Sequence, residues 1–167
     1  MLFRYWLALA VTLSLLSLPS RADEQNSHSH FGDMGQVGTV QFPTSCSATV
    51  QPQFERAVAM LHSFWYEEAG KAFQSIAETD PTCSMAWWGV AMSLWHPLWP
   101  GAPDAESLKK GLAALAQAQS IAGNTGRERD YIAAIATFYE NYGKIDHRTR
   151  ALAYLVIALS CRGEQPR

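Results

Sequence analysis

The sequence predicts an all-α protein of stacked antiparallel helix hairpins, about three of them. Three observations carry this prediction. Between Gln51 and about Cys161, apolar residues recur at three- and four-residue spacing in six separate runs. The connections between runs are short and marked by Pro, Gly and Asn. No pair of alternating segments reads as paired strands. With 48% hydrophobic and only 17% charged residues in 167, the chain has the apolar content of a folded domain rather than of a disordered one.

In chain order, the first stretch is an address. Arg4 gives a positive start, Tyr5 to Leu18 is apolar, Pro19 breaks it, and Ser20-Arg21-Ala22 places small residues before a cut after Ala22. As a helix the apolar run would span roughly 21 Å, short of the ~30 Å hydrocarbon core. Residues 1–22 therefore read as a cleaved secretory signal rather than an anchor, and no stable membrane insertion is expected afterwards. Cleavage removes Arg4 and Arg21, leaving 11 basic against 15 acidic side chains in a periplasmic or secreted chain. Residues 23–50 read as a flexible leader, with Val37 to Phe42 as a short extended segment ended by Pro43.

Residues 51–161 hold the helices. Phe54, Ala57/Val58 and Leu61 space the first run, and Ala69, Phe73 and Ile76/Ala77 the second. Asp80-Pro81 stops the second run, because proline disfavours helix at the residue before it. Ser84 to Trp95 is apolar nearly all round, the pattern of a helix buried on several sides. His96-Pro97 ends it, and a Pro/Gly-rich loop leads to a fourth run, Ala105 to Ala122, capped by Asp104 or Ser107. After the break at Gly123–Gly126, Arg127 to Tyr142 and His147 to about Cys161 form the last two runs. Residues 162–167 are a polar tail.

The runs pair into units. Gly89 follows Ala57 by 32 residues and Met92 follows Met60 by the same interval, near the 34-residue period of a helical-hairpin repeat. Small residues at such places let two helices approach, and Phe73 is placed to fill the seam between them. The strings FPTSC (42–46), QFERAVAMLHSFWYEEAGKAF (53–73), DPTCSMAWWGVAMSLWHPLW (80–99) and RERDYIAAIATFY (127–139) resemble the tetratricopeptide-repeat family, and more narrowly its secreted bacterial members. The narrow resemblance covers most of the chain after the signal, although the second unit carries an insertion around Trp95–Asp104. The first unit lacks the usual Trp and Leu-Gly near its start. Related proteins are longer arrays, so a truncated or frame-shifted member is an open reading.

Charge and motif content exclude several functions. No Lys/Arg run supports nucleic-acid binding. There is no phosphate loop, no Gly-x-Ser-x-Gly and no His-Glu-x-x-His. No Cys-x-x-Cys supports thiol oxidoreduction. Cys46 and Cys83 precede or open the first helices of successive hairpins. Such helix starts are neighbours in a stack, and in an oxidising compartment a disulfide is favoured over two unpaired thiols. Cys161 is assigned no role.

Histidines offer a second line. His28 and His30 lie in the polar leader, where a metal site would lack rigid support. His62 and His96 occupy similar places near the ends of successive first helices and are the candidate ligands of a metal- or haem-binding alternative. A histidine at a helix C-terminus more commonly satisfies free carbonyls, and two without a third ligand make a poor catalytic site. Glu67-Glu68 and Glu128/Asp130 read as helix starts in favourable dipole positions rather than as acid/base couples.

Of the aromatic set Phe64, Trp65, Tyr66, Trp87, Trp88, Trp95 and Trp99, most are expected in the core. Trp87 and Trp88 diverge by ~100° and cannot share one face. The expected function is an exported protein- or peptide-binding scaffold, without cofactor or catalysis, working through a concave face lined by the first helix of each hairpin. Glu55, His62, Trp88, Met92, Trp95 and Trp99 are its candidate contact residues.

Overall fold

In the computed structural model, residues 37–97 and 101–162 are described, except for the side chains of 161 and 162. The expected signal segment, most of the leader, Trp99, the polar tail beyond residue 162 and the Cys161 side chain lie outside them. The described residues form six α-helices and no strand: α1 (Gln51–His62), α2 (Tyr66–Thr79), α3 (Ser84–Trp95), α4 (Ala105–Ser120), α5 (Gly126–Tyr139) and α6 (His147–Arg162).

Local chemistry sets each boundary. Pro52 sits in the first turn of α1, where its missing N–H has no helical partner to lose. At the other end Phe64 takes φ 64°, the Phe64 N–H donates to Leu61 O and the Trp65 N–H donates to Met60 O. This pair of bonds closes the helix, with a phenylalanine in the left-handed position that glycine usually takes. Helix α2 stops one residue before Asp80-Pro81, as the proline requires. His96 is the left-handed cap of α3 (φ 52°), with Pro97 behind it. Asp104 caps α4, its carboxylate accepting the Ser107 N–H at 2.7 Å. Thr125 and Glu128 form a reciprocal capping box at the start of α5. Helices α4 and α5 end at Ser120 and Tyr139, earlier than the apolar spacing indicated. Ile121 is extended, and Asn141 turns left-handed at φ 58°.

Each helix packs on the one before it in the chain, and α3 also touches α1 and α5. Helix α3 is therefore the centre. Ser84, Met85, Ala86, Trp88, Gly89, Ala91, Met92, Ser93 and Trp95 are all buried, as its lack of a polar face requires. Two glycines set the closest approaches. A Cβ on Gly89 would lie 2.3 Å from the Phe73 ring, and one on Gly111 would lie 2.1 Å from the Tyr139 ring. Phe73 thus fills the α2–α3 seam. Tyr139 crosses α4 and donates its hydroxyl to Ala91 O at 2.6 Å. Burial pushes that phenol well above its ordinary pKa.

At the far end of α3, Trp95 stacks on Phe138 with centroids 3.9 Å apart and meets Tyr154 edge-on at 4.6 Å. Arg150, buried on α6, donates to the carbonyls of Phe138 and Ile145 and lies over the Phe138 ring. Those bonds satisfy carbonyls at the C-terminal end of α5 and in the turn that follows it. Among the described residues no helix is long and apolar enough to cross a membrane.

Candidate functional site

Helices α1, α3 and α5 each turn an aromatic side chain from an early turn toward one place: Phe54, Trp88 and Tyr131. The Phe42 ring occupies that place. Its centroid lies 5.6 Å from Phe54, 5.8 Å from Trp88 and 5.2 Å from Tyr131, and the Arg127 guanidinium covers it at 5.2 Å. Edge-on and tilted contacts at these distances are favourable for aromatic rings, and a guanidinium over a ring face adds a cation–π contact. Phe73 supports the wall from behind, edge-on to both Phe54 and Trp88.

The backbone around Phe42 is held as firmly as its ring. Residues 37–44 have no helix or strand of their own, so their main-chain groups need other partners. Side chains of α1 and α5 supply them. The Phe42 N–H donates to Glu55 Oε1 at 3.0 Å, and Gln51 Nε2 donates to Phe42 O at 2.8 Å. Gln51 Oε1 accepts from the Thr44 N–H at 3.2 Å and the Thr44 hydroxyl at 2.7 Å. Arg127 donates to Pro43 O, and the Ser45 N–H donates to Glu128 Oε1 at 2.6 Å. Every main-chain donor from Phe42 to Ser45 is thereby met by a helix side chain, since Pro43 has none.

Beyond Ser45 the segment is fixed covalently. Cys46 is disulfide-bonded to Cys83, the cap residue of α3, with Cα atoms 4.6 Å apart. The Ser47 N–H then donates to Asp80 Oδ2 at 2.8 Å. Two carboxylates hold this strap, and both are buried. For Glu128, burial acts to raise the pKa. The N–H groups of Ser45 and Thr125 outweigh it and hold the carboxyl below the ordinary glutamate range. Asp80 is likewise held low, first by the Thr82 hydroxyl and then by the Ser47 N–H.

The structure brings together only part of the set named from sequence. Glu55 and Trp88 belong to this site. Trp88 is buried in the cage wall, and its indole N–H finds no hydrogen-bond partner among the described residues. Met92 is buried, and Trp95 lies in the aromatic stack with Phe138 and Tyr154 rather than in the cage. His62 is exposed at the last turn of α1. His96, also exposed, lies beside Tyr66 with ring centroids 4.7 Å apart. Trp99 is outside the described residues.

Neither His62 nor His96 joins a group of three or more potential metal ligands. Among the described residues the one such group is Cys46, Asp80 and Cys83. Its two sulfurs are bonded to each other, so no thiolate is offered. Trp87, diverging from Trp88 as adjacent helical residues must, lines a separate cleft of about 1030 Å³ with residues of α2, α3 and α4, including Gly70, Val90, Leu94 and Ala114.

Sequence reasoning did not single out Phe42, Gln51, Arg127, Glu128 or Tyr131 for this site. One signal was present: Thr125-x-x-Glu128 has the spacing of a capping box, which fixes a carboxylate at the start of α5. Nothing local in the sequence places Ser45 against it. Set against family models, curated proteins and solved structures, the chain matches none of them.

Proposed function

We propose that this protein is an exported helical-hairpin scaffold that binds an extended peptide on the face of α1, α3 and α5. The observation that carries the reading is the grip on residues 42–45. Gln51, Glu55, Arg127 and Glu128 meet main-chain groups, while Phe54, Trp88 and Tyr131 enclose a side chain. Backbone hydrogen bonds combined with one side-chain pocket are how a receptor recognises a peptide without secondary structure.

The order of helix contacts also supports stacked hairpins of the tetratricopeptide type. First helices α1, α3 and α5 adjoin in sequence, and α1 makes no contact with α5. The Cys46–Cys83 disulfide suits a periplasmic or secreted location. In this reading the protein is not an enzyme and needs no cofactor.

The test is a random linear peptide library panned against the full chain and its Phe42→Ala variant, which vacates the cage. Enrichment by the variant, with at least a tenfold loss of affinity when Tyr131→Ala is added, is the expected outcome; tenfold corresponds to about 1.4 kcal/mol. Failure of both forms to enrich any peptide would overturn the reading.

A further inference from the structure

We propose that residues 41–45, Gln-Phe-Pro-Thr-Ser, act as a ligand in cis. The partner in trans is then an extended peptide of the same chemistry: an aromatic residue, then proline, then one or two small hydroxylated residues. This inference rests on the peptide-binding reading above and specifies its ligand.

Each part of the strap meets a matching group. The ring enters a cage of three aromatic side chains and receives the Arg127 guanidinium on its face. The residue after it presents only a carbonyl, and that carbonyl accepts from Arg127. Proline suits this position because it has no N–H to leave unpaired. The next residue carries a hydroxyl as well as an N–H, and Gln51 Oε1 accepts from both. The residue after that donates its N–H to a carboxylate with no exposed surface.

That last contact makes the face selective for a peptide. With the strap withdrawn, the Glu128 carboxylate keeps its capping-box donor, the Thr125 N–H, but loses the Ser45 N–H from a buried oxygen. A buried acceptor stripped of its donor is costly, so a merely apolar ligand fills the cage yet leaves Glu128 unmet. An incoming backbone N–H restores the bond.

Withdrawal of the strap would break no helix hydrogen bond. Residues 37–44 belong to no helix, and the covalent hinge at Cys46 lies beyond the part that grips the cage. The same hinge keeps the tip nearby at an effective concentration of order mM, as short tethers do. A free peptide of equal affinity therefore displaces the wild-type strap only when its concentration exceeds that effective concentration.

The experiment uses a labelled peptide, acetyl-Val-Gln-Phe-Pro-Thr-Ser-Ala-amide, and the full chain. The Phe42→Ala variant binds it at least tenfold more tightly than wild type does. Replacing the peptide's Phe by Ala, or scrambling its order, removes at least tenfold of that affinity. A second opening variant, Ser45→Pro, deletes the donor to Glu128 without touching a helix and gains binding in the same way. In wild type, excess peptide speeds hydrogen exchange at the Ser45 amide.

If both variants keep helical circular dichroism and a cooperative melt yet bind this peptide no better than its scramble, the inference fails. Should either variant not fold, unchanged exchange at Ser45 in wild type under saturating peptide defeats it equally. Peptides of other chemistry enriched from the library by the same variants would sink the cis-ligand assignment while leaving the scaffold reading intact. An empty library would sink both.

Discussion

Protonating Glu128 removes the charge that receives the Ser45 and Thr125 N–H groups, and Asp80 stands in the same relation to Thr82 and Ser47. Both carboxyls are held below their unfolded-state pKa values. Their contribution is therefore complete above the ordinary carboxylate range near pH 4–4.5 and is lost as pH falls through the depressed folded values. Acid is expected to loosen the strap and lower the urea midpoint together. The Glu128→Gln variant starts about 1–3 kcal/mol less stable at neutral pH, because an amide brings its own donors to a site built of donors. Its stability then falls less steeply below pH 4.5. Equal pH slopes for wild type and variant would show that Glu128 does not carry this dependence.

Among the helices, the glycines of α2 and α3 answer differently to the same substitution. Alanine gains up to about 1 kcal/mol over glycine in a helix interior. At Gly89 that gain meets a ring 2.3 Å from the new methyl, and the overlap wins. Gly89→Ala is expected to destabilise by about 1–3 kcal/mol, the range for overpacking a filled core. At Gly70 the nearest atom is Ser93 Cβ at 3.4 Å, ordinary contact, so Gly70→Ala is expected to be neutral or stabilising. Chemical denaturation of the pair checks both signs.

Helix α6 offers a further contrast. Leu152, Leu155, Val156 and Leu159 recur at helical spacing and are all about half exposed or more. Val156→Lys with Leu159→Lys is accordingly expected to shift folding stability by no more than about 0.5 kcal/mol per site, read from the same denaturation curves. A larger loss would show that this stripe is covered in solution.

Across the molecule, what the sequence made legible was whatever depends on neighbours along the chain. Helix spacing, the Pro81 stop, a cap at Asp104 or Ser107 (the structure has Asp104) and the burial of α3 all follow from residues within a turn or two of one another. The Cys46–Cys83 pairing was legible because each cysteine precedes a helix, α1 or α3, and the expected stacking puts the starts of those helices side by side. The cage was not. Phe42 meets Trp88 and Tyr131 across wide sequence separations, and the chain before Gln51 has no periodic signal to say where it lies. Treating 23–50 as leader followed from its composition, and composition carries no information about what a single aromatic residue touches. Trp88 was named from sequence as a contact residue of the concave face, and the structure buries it in the cage wall. Its neighbour across the cage, Tyr131, lies in a mixed-charge stretch that reads as an ordinary helix start.

The disulfide has a role at this scale too. On the chain-entropy account, closing a loop with a sequence separation of 37 stabilises by about 3–4 kcal/mol, and Cys46→Ser with Cys83→Ser is expected to lose roughly that amount. Thiol titration of the unfolded wild type gives one reactive sulfhydryl before reduction and three after it. The bond also has a topological result. It encloses α1 and α2 in a covalent ring, so a protease that nicks the exposed turn at Phe64 leaves two pieces that still travel as one molecule on a denaturing gel. They part only when a reductant is added.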